Sequence, residues 1–156
     1  MSSSHPSPCV RAVALLATLF VAGCATDTTG GGDTQPRVTR LQLSVANQVV
    51  EIDRNGQVVN GPIVFRAGVD VEVHATFLRQ SGLPDPLVTA AAYQLNLTPN
   101  GGTATITFAR SDVDPFEGVI RCNFANTSGM ILLSLHNVEE QKDYWGPFEV
   151  QVLVTP

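Results

Sequence analysis

Two stretches of this chain could hold metal chemistry. Asp112-Val113-Asp114-Pro115-Phe116-Glu117 sets three carboxylates within six residues, so Asp112, Asp114 and Glu117 of one loop could supply oxygen ligands to calcium. The twelve-residue calcium loop, with its central glycine and distal glutamate, is missing, and a solvated acidic loop is the plainer reading. The second stretch is Cys122, Met130 and His136, with His74 upstream. A mononuclear copper site needs two histidines, a cysteine and a soft axial ligand that converge. Here His136 follows Met130, whereas the copper-protein order is cysteine, histidine, then methionine. Alternation also sets His74 on a polar strand face and Cys122 on an apolar one with Ile120 and Phe124, so Cys122 reads as a small buried hydrophobe.

Nucleophilic catalysis requires a serine, threonine or cysteine beside a positioned base and an oxyanion hole. The chain has no Gly-x-Ser-x-Gly elbow, and only His74 and His136 follow the N-terminal region. The expectation is a protein without catalytic residues or cofactor. The most distinctive remaining segment runs from His136 to Phe148, a polar charged loop ending in aromatics around Gly146-Pro147. Tyr144, Trp145 and Phe148 are the candidate contacts, since rigid aromatics offer apolar area at small entropic cost. The competing reading is that Trp145 and Phe148 cover one end of a core.

The elements that must position these residues are strands. From Val38 onward apolar residues recur with a period of two, which sends one set of side chains to a core and the other to water. Val69 to Phe77 alternates most cleanly. Leu41, Leu43 and Val45 form another inward set, as do Tyr93, Leu95 and Leu97; Ala104, Ile106 and Phe108; Ile131, Leu133 and Leu135; and Phe148, Val150, Val152 and Val154. Between them fall turn residues such as Asn55-Gly56, Asn60-Gly61-Pro62, Gly82, Asn100-Gly101-Gly102 and Ser128-Gly129. Strands at such spacing without a helical apolar pattern predict an all-β, antiparallel β-sandwich of roughly eight or nine strands.

The N-terminus differs in composition. Met1 to Arg11 is polar with one basic residue, and Ala12 to Ala22 is an apolar run of about 11 residues, short of the roughly 20 that span a bilayer. Val21-Ala22-Gly23-Cys24 resembles the lipobox of bacterial lipoproteins. That resemblance implies export by residues 1–23, cleavage before Cys24 and lipidation of Cys24, with several acyl chains giving stable anchoring. Ala25 behind the cysteine, by the same family rule, implies the outer membrane. Residues 24–36 then act as a flexible tether with nothing apolar to bury, and residues 37–156 as one domain.

Removing Arg11 with the leader reduces nine Lys and Arg to eight against fourteen Asp and Glu, a formal charge of −6. Nucleic-acid binding draws largely on clustered cations and is not expected. With Cys9 cleaved away and Cys24 lipidated, Cys122 has no intramolecular disulfide partner.

The stretch from Arg66 to Leu135 is similar to bacterial immunoglobulin-like domains, through Val71-Glu72-Val73-His74-Ala75-Thr76-Phe77 running into the Gly82 turn, then Thr103-Ala104-Thr105-Ile106-Thr107, Phe116-Glu117-Gly118-Val119-Ile120, and Met130 to Leu135. It implies a module for display, spacing or adhesion. The leading expectation is a lipid-anchored, non-enzymatic envelope protein with a protein or glycan partner. The alternatives are a periplasmic small-ligand or calcium-binding protein and a self-associating architectural protein.

Overall fold

The computed structural model describes residues 34–156, all of whose regular structure is β. The expected leader, Cys24 and most of the expected tether lie outside the described residues. Nine strands form two packed sheets: β1 (Arg40–Val45), β2 (Gln48–Asp53), β3 (Ile63–Arg66), β4 (Asp70–Leu78), β5 (Tyr93–Gly102), β6 (Thr105–Arg110), β7 (Glu117–Asn123), β8 (Thr127–Asn137) and β9 (Lys142–Thr155). One sheet has the order β2-β1-β4-β7-β6 and the other β3-β9-β8-β5. With β1, β4, β7 and β6 as strands A, B, E and D, and β5, β8 and β9 as C, F and G, this is the immunoglobulin arrangement. Strands β2 and β3 are additions to it.

The inward sets meet between the sheets. Leu41, Leu43, Ile120, Leu95, Ile131, Leu133, Leu135 and Val152 have no exposed surface, and Val71, Val73, Ala75 and Phe77 line the same core from β4. Removing this apolar surface from water is the main favourable term in folding. Phe108 and Phe148, expected to face inward, are partly buried against the core. Gly118 is required by packing: a Cβ there would stand 2.3 Å from the Phe108 ring, which covers it.

The structure corrects several expectations. The sheets are not wholly antiparallel, since β3 runs parallel to β9, pairing Ile63 with Val152 and Phe65 with Val154. Val69 is 42 % exposed and precedes β4. Phe124 does not share the apolar face of Ile120 and Cys122, because β7 ends at Asn123 and Phe124 turns away with φ 67° and 65 % of its surface exposed. The segment from His136 to Phe148 is mostly strand, with β8 ending at Asn137 and β9 beginning at Lys142.

Side chains occupy three of the four sheet edges, where unpaired backbone groups would otherwise template association. Asn60 takes the β2 edge, accepting from Glu51 N at 2.7 Å and donating to Val49 O at 3.1 Å. On β3, Gln48 accepts from Val64 N and donates to Pro62 O. Arg110 takes the β5 edge, donating to Leu95 O at 3.0 Å and to the side chains of Gln94 and Asn96.

Candidate functional site

The outer face of the five-stranded sheet carries a groove of about 530 Å³. Register explains its shape. Ser44 pairs with His74, and His74 with Glu117, so these three outward side chains form one row across β1, β4 and β7. Small residues at Ser44, Ala46 and Ala109 keep the floor low, and Glu72, His74, Arg110 and Glu117 supply its polar groups.

The β6–β7 loop brings a third ligand-type residue to this row. Ser111 Oγ accepts from the N–H groups of Val113 and Asp114, Asp114 Oδ1 accepts from Phe116 N at 2.8 Å, and Asp114 O accepts from Glu117 N. The Phe116 ring stacks edge-on against Phe77, with centroids 6.0 Å apart, and ties the turn to the core. Within this frame His74 Nδ1 lies 3.2 Å from Glu117 Oε1, and one donor atom from each of His74, Asp114 and Glu117 falls within 4.8 Å of the others. Two of the three acidic candidates therefore meet. Asp112 is exposed and does not belong to the cluster; His74 takes its place. Spacing along one loop could not reveal a partner 43 positions away in sequence. The missing signal was the β4–β7 register.

The copper-type residues do not converge. Cys122 is fully buried, and burial pushes its thiol up to about 11, which makes it a core residue rather than a reactive one. His136 belongs to the other sheet, where its Nδ1 lies 2.9 Å from Asp143 Oδ1. Ser134 Oγ donates to the same oxygen at 2.9 Å. This constellation holds a serine, a histidine and an aspartate, but the aspartate stands between the other two. In a nucleophilic triad the histidine must receive the serine proton, so the arrangement here is a polar clamp between β8 and β9.

The three candidate aromatics are spread over different environments. Trp145 is only 4 % exposed and packs edge-on against Phe77 at 5.9 Å and Phe148 at 4.7 Å, so it serves the core. Phe148 is partly buried beside it. Tyr144 is half-buried; its ring meets Tyr93 edge-on at 5.5 Å, and Lys142 Nζ lies 5.1 Å from the ring centroid. Its hydroxyl donates to Glu140 Oε2 at 2.5 Å, and that carboxylate, aided by burial, raises the phenol to about 12.

Among the described residues, the aromatic that faces water is Phe124, at the opposite end of the sandwich from the β8–β9 turn. Its backbone is held in the left-handed region, uncommon for a bulky side chain, with Asn126 at φ 57° beside it. Thr127 Oγ1 donates to Phe124 O at 2.6 Å and fixes the turn. Val69 and Leu153, both partly exposed, lie at the strand ends on the same side. The sequence cue was an aromatic embedded in Asn123-Phe124-Ala125-Asn126, a run of turn-forming neighbours, but alternation from Ile120 and Cys122 masked it.

Comparison with protein-family models, with curated proteins and with solved structures finds no match for the chain.

Proposed function

We propose that this protein is a lipid-anchored, non-enzymatic module of the bacterial envelope, held through Cys24 and presenting the far end of its sandwich to a protein or glycan partner. The observation that carries the reading is the polarity of the fold. The described chain enters at the end where Arg40 pairs with Leu78, and β7 leaves at the other end, where Phe124 stands exposed beside the termini of β3, β5 and β9. A tether joined at the first end would leave the second pointing away from the membrane. Exposed aromatics on fixed turns suit such contacts, because their area is presented without much loss of side-chain freedom.

The test combines anchoring with contact. Whole-protein mass spectrometry of membrane fractions from the native host should find a species that begins at Cys24 and carries acyl chains, and a Cys24→Ala variant should lack it. Crosslinking through a photoreactive residue at Asn126 should then capture an envelope protein or glycan, and Phe124→Ala should abolish the capture. An unlipidated product in the soluble fraction would overturn the anchor. Capture unchanged by Phe124→Ala would overturn the assignment of the contact end.

A further inference from the structure

We propose that His74, Asp114 and Glu117 bind one divalent transition-metal ion of the zinc type at the rim of the groove. The three donors come from the middle of β4, the β6–β7 loop and the first residue of β7. Around an ion with bonds of about 2.0–2.1 Å, neighbouring donors sit roughly 3.0–3.4 Å apart. His74 Nδ1 and Glu117 Oε1 already stand 3.2 Å apart, and the whole set lies within 4.8 Å, so small rotamer changes close it. The backbones beneath are fixed by the β4–β7 ladder and by the hydrogen bonds of Ser111 and Asp114.

Donor chemistry selects the ion. One imidazole nitrogen and two carboxylate oxygens suit borderline divalent ions, whereas calcium seeks six to eight oxygens. With a neutral imidazole the set carries two negative charges, and Glu72 adds a third on the same strand face. The nearby cation, Arg110, is turned to the β5 edge. A bound cation would relieve that repulsion and become the largest local charge. Three protein donors leave coordination positions open to the groove, where water or an anionic group of a ligand can complete the shell.

The site stands independently of anchoring and can be tested on the full-length chain carrying Cys9→Ala and Cys24→Ala, so that the thiols outside the described residues do not compete. Zinc chloride and calcium chloride are titrated separately, with the melting temperature and calorimetric stoichiometry as readouts, in this background and with His74→Gln, Glu117→Gln or Asp112→Asn added. Zinc should raise the melting temperature saturably with one equivalent bound, and calcium at equal concentration should not. His74→Gln and Glu117→Gln should weaken zinc binding at least about tenfold, since changes one shell further out already cost 10–100-fold. Asp112→Asn should bind as the background does. Should a ligand variant fail to fold, the His74 ring resonances of the background protein answer the same question and should shift on zinc addition. Zinc without effect on the background, zinc bound equally by His74→Gln, unmoved His74 resonances, or a preference for calcium would each overturn the assignment.

Discussion

Arg79 Nη2 lies 3.2 Å from Asp85 Oδ1, and the Asp85 side chain has no exposed surface. The same carboxylate accepts from Arg37 N at 2.6 Å and Leu87 N at 3.0 Å. One buried acid thus joins the beginning of the packed chain, the residue just after β4 and the segment that leads to β5. Because Arg79 keeps a fifth of its side chain in water while Asp85 has none, the pair is asymmetric: the acid depends on its partners more than the base does.

Replacing Asp85 with Ala should lower stability by about 3 kcal/mol, because it orphans a largely buried guanidinium and two backbone donors. Urea unfolding followed by tryptophan fluorescence measures it, since Trp145 is the chain's one tryptophan and sits in the core. A loss below about 1 kcal/mol would mean that water replaces the carboxylate.

Phe124 and Trp145 should respond differently to truncation. Trp145→Ala opens a cavity beside Phe77 and Phe148 and should cost about 3–5 kcal/mol. Phe124→Gly relieves a left-handed backbone, which offsets the loss of the covered part of a side chain that is 65 % exposed, so it should leave stability within about 1 kcal/mol of the wild type. Chemical denaturation of both variants decides the matter. If Phe124→Gly gains stability, the wild-type phenylalanine is retained at a cost to folding, as residues kept for contact often are.

Gly118 has an ordinary backbone angle, so its requirement is steric. Gly118→Ala should cost about 1–3 kcal/mol by driving a methyl group into the Phe108 ring and Ala109 O. Gly118→Ala combined with Phe108→Ala should recover part of the loss, and a double-mutant cycle would show the coupling. Purely additive costs would argue that the ring already moves freely.

Cys122 makes stability sensitive to alkali. Burial pushes its folded thiol up to about 11 from an ordinary value of 9.0, so above the lower value the native state holds a proton that the unfolded state has lost. Stability is therefore fully present below about pH 9 and should decline as pH rises toward about 11. Cys122→Ala should flatten that part of the pH profile. Mass spectrometry after alkylation at pH 8 should find the Cys122 peptide unmodified in the folded chain and modified in urea. Rapid alkylation without urea would show that the sheets open locally around β7.

Alternation along the chain determined most of the strands and their inward faces, because the side-chain direction of an extended backbone repeats every two residues and needs no partner to be read. Leu41, Leu43, Val71, Val73, Leu95, Leu133 and Val152 went to the core as their spacing required. Tertiary structure decided what each strand pairs with. The short strand at Ile63–Arg66 takes a parallel partner 89 residues later, and Gln48–Asp53 is held as an edge by its hairpin with β1, so neither follows from local pattern. The same holds for function-bearing residues. Asp114 and Glu117 were visible as near neighbours in sequence, but the histidine beside them is set by which strand lies next to β7 and in what register. Phe124 left its expected apolar face, and Trp145 took the core-covering place that was one of its two readings, for a related reason: burial depends on whether a second sheet covers a residue, and that cover comes from elements far away in the chain.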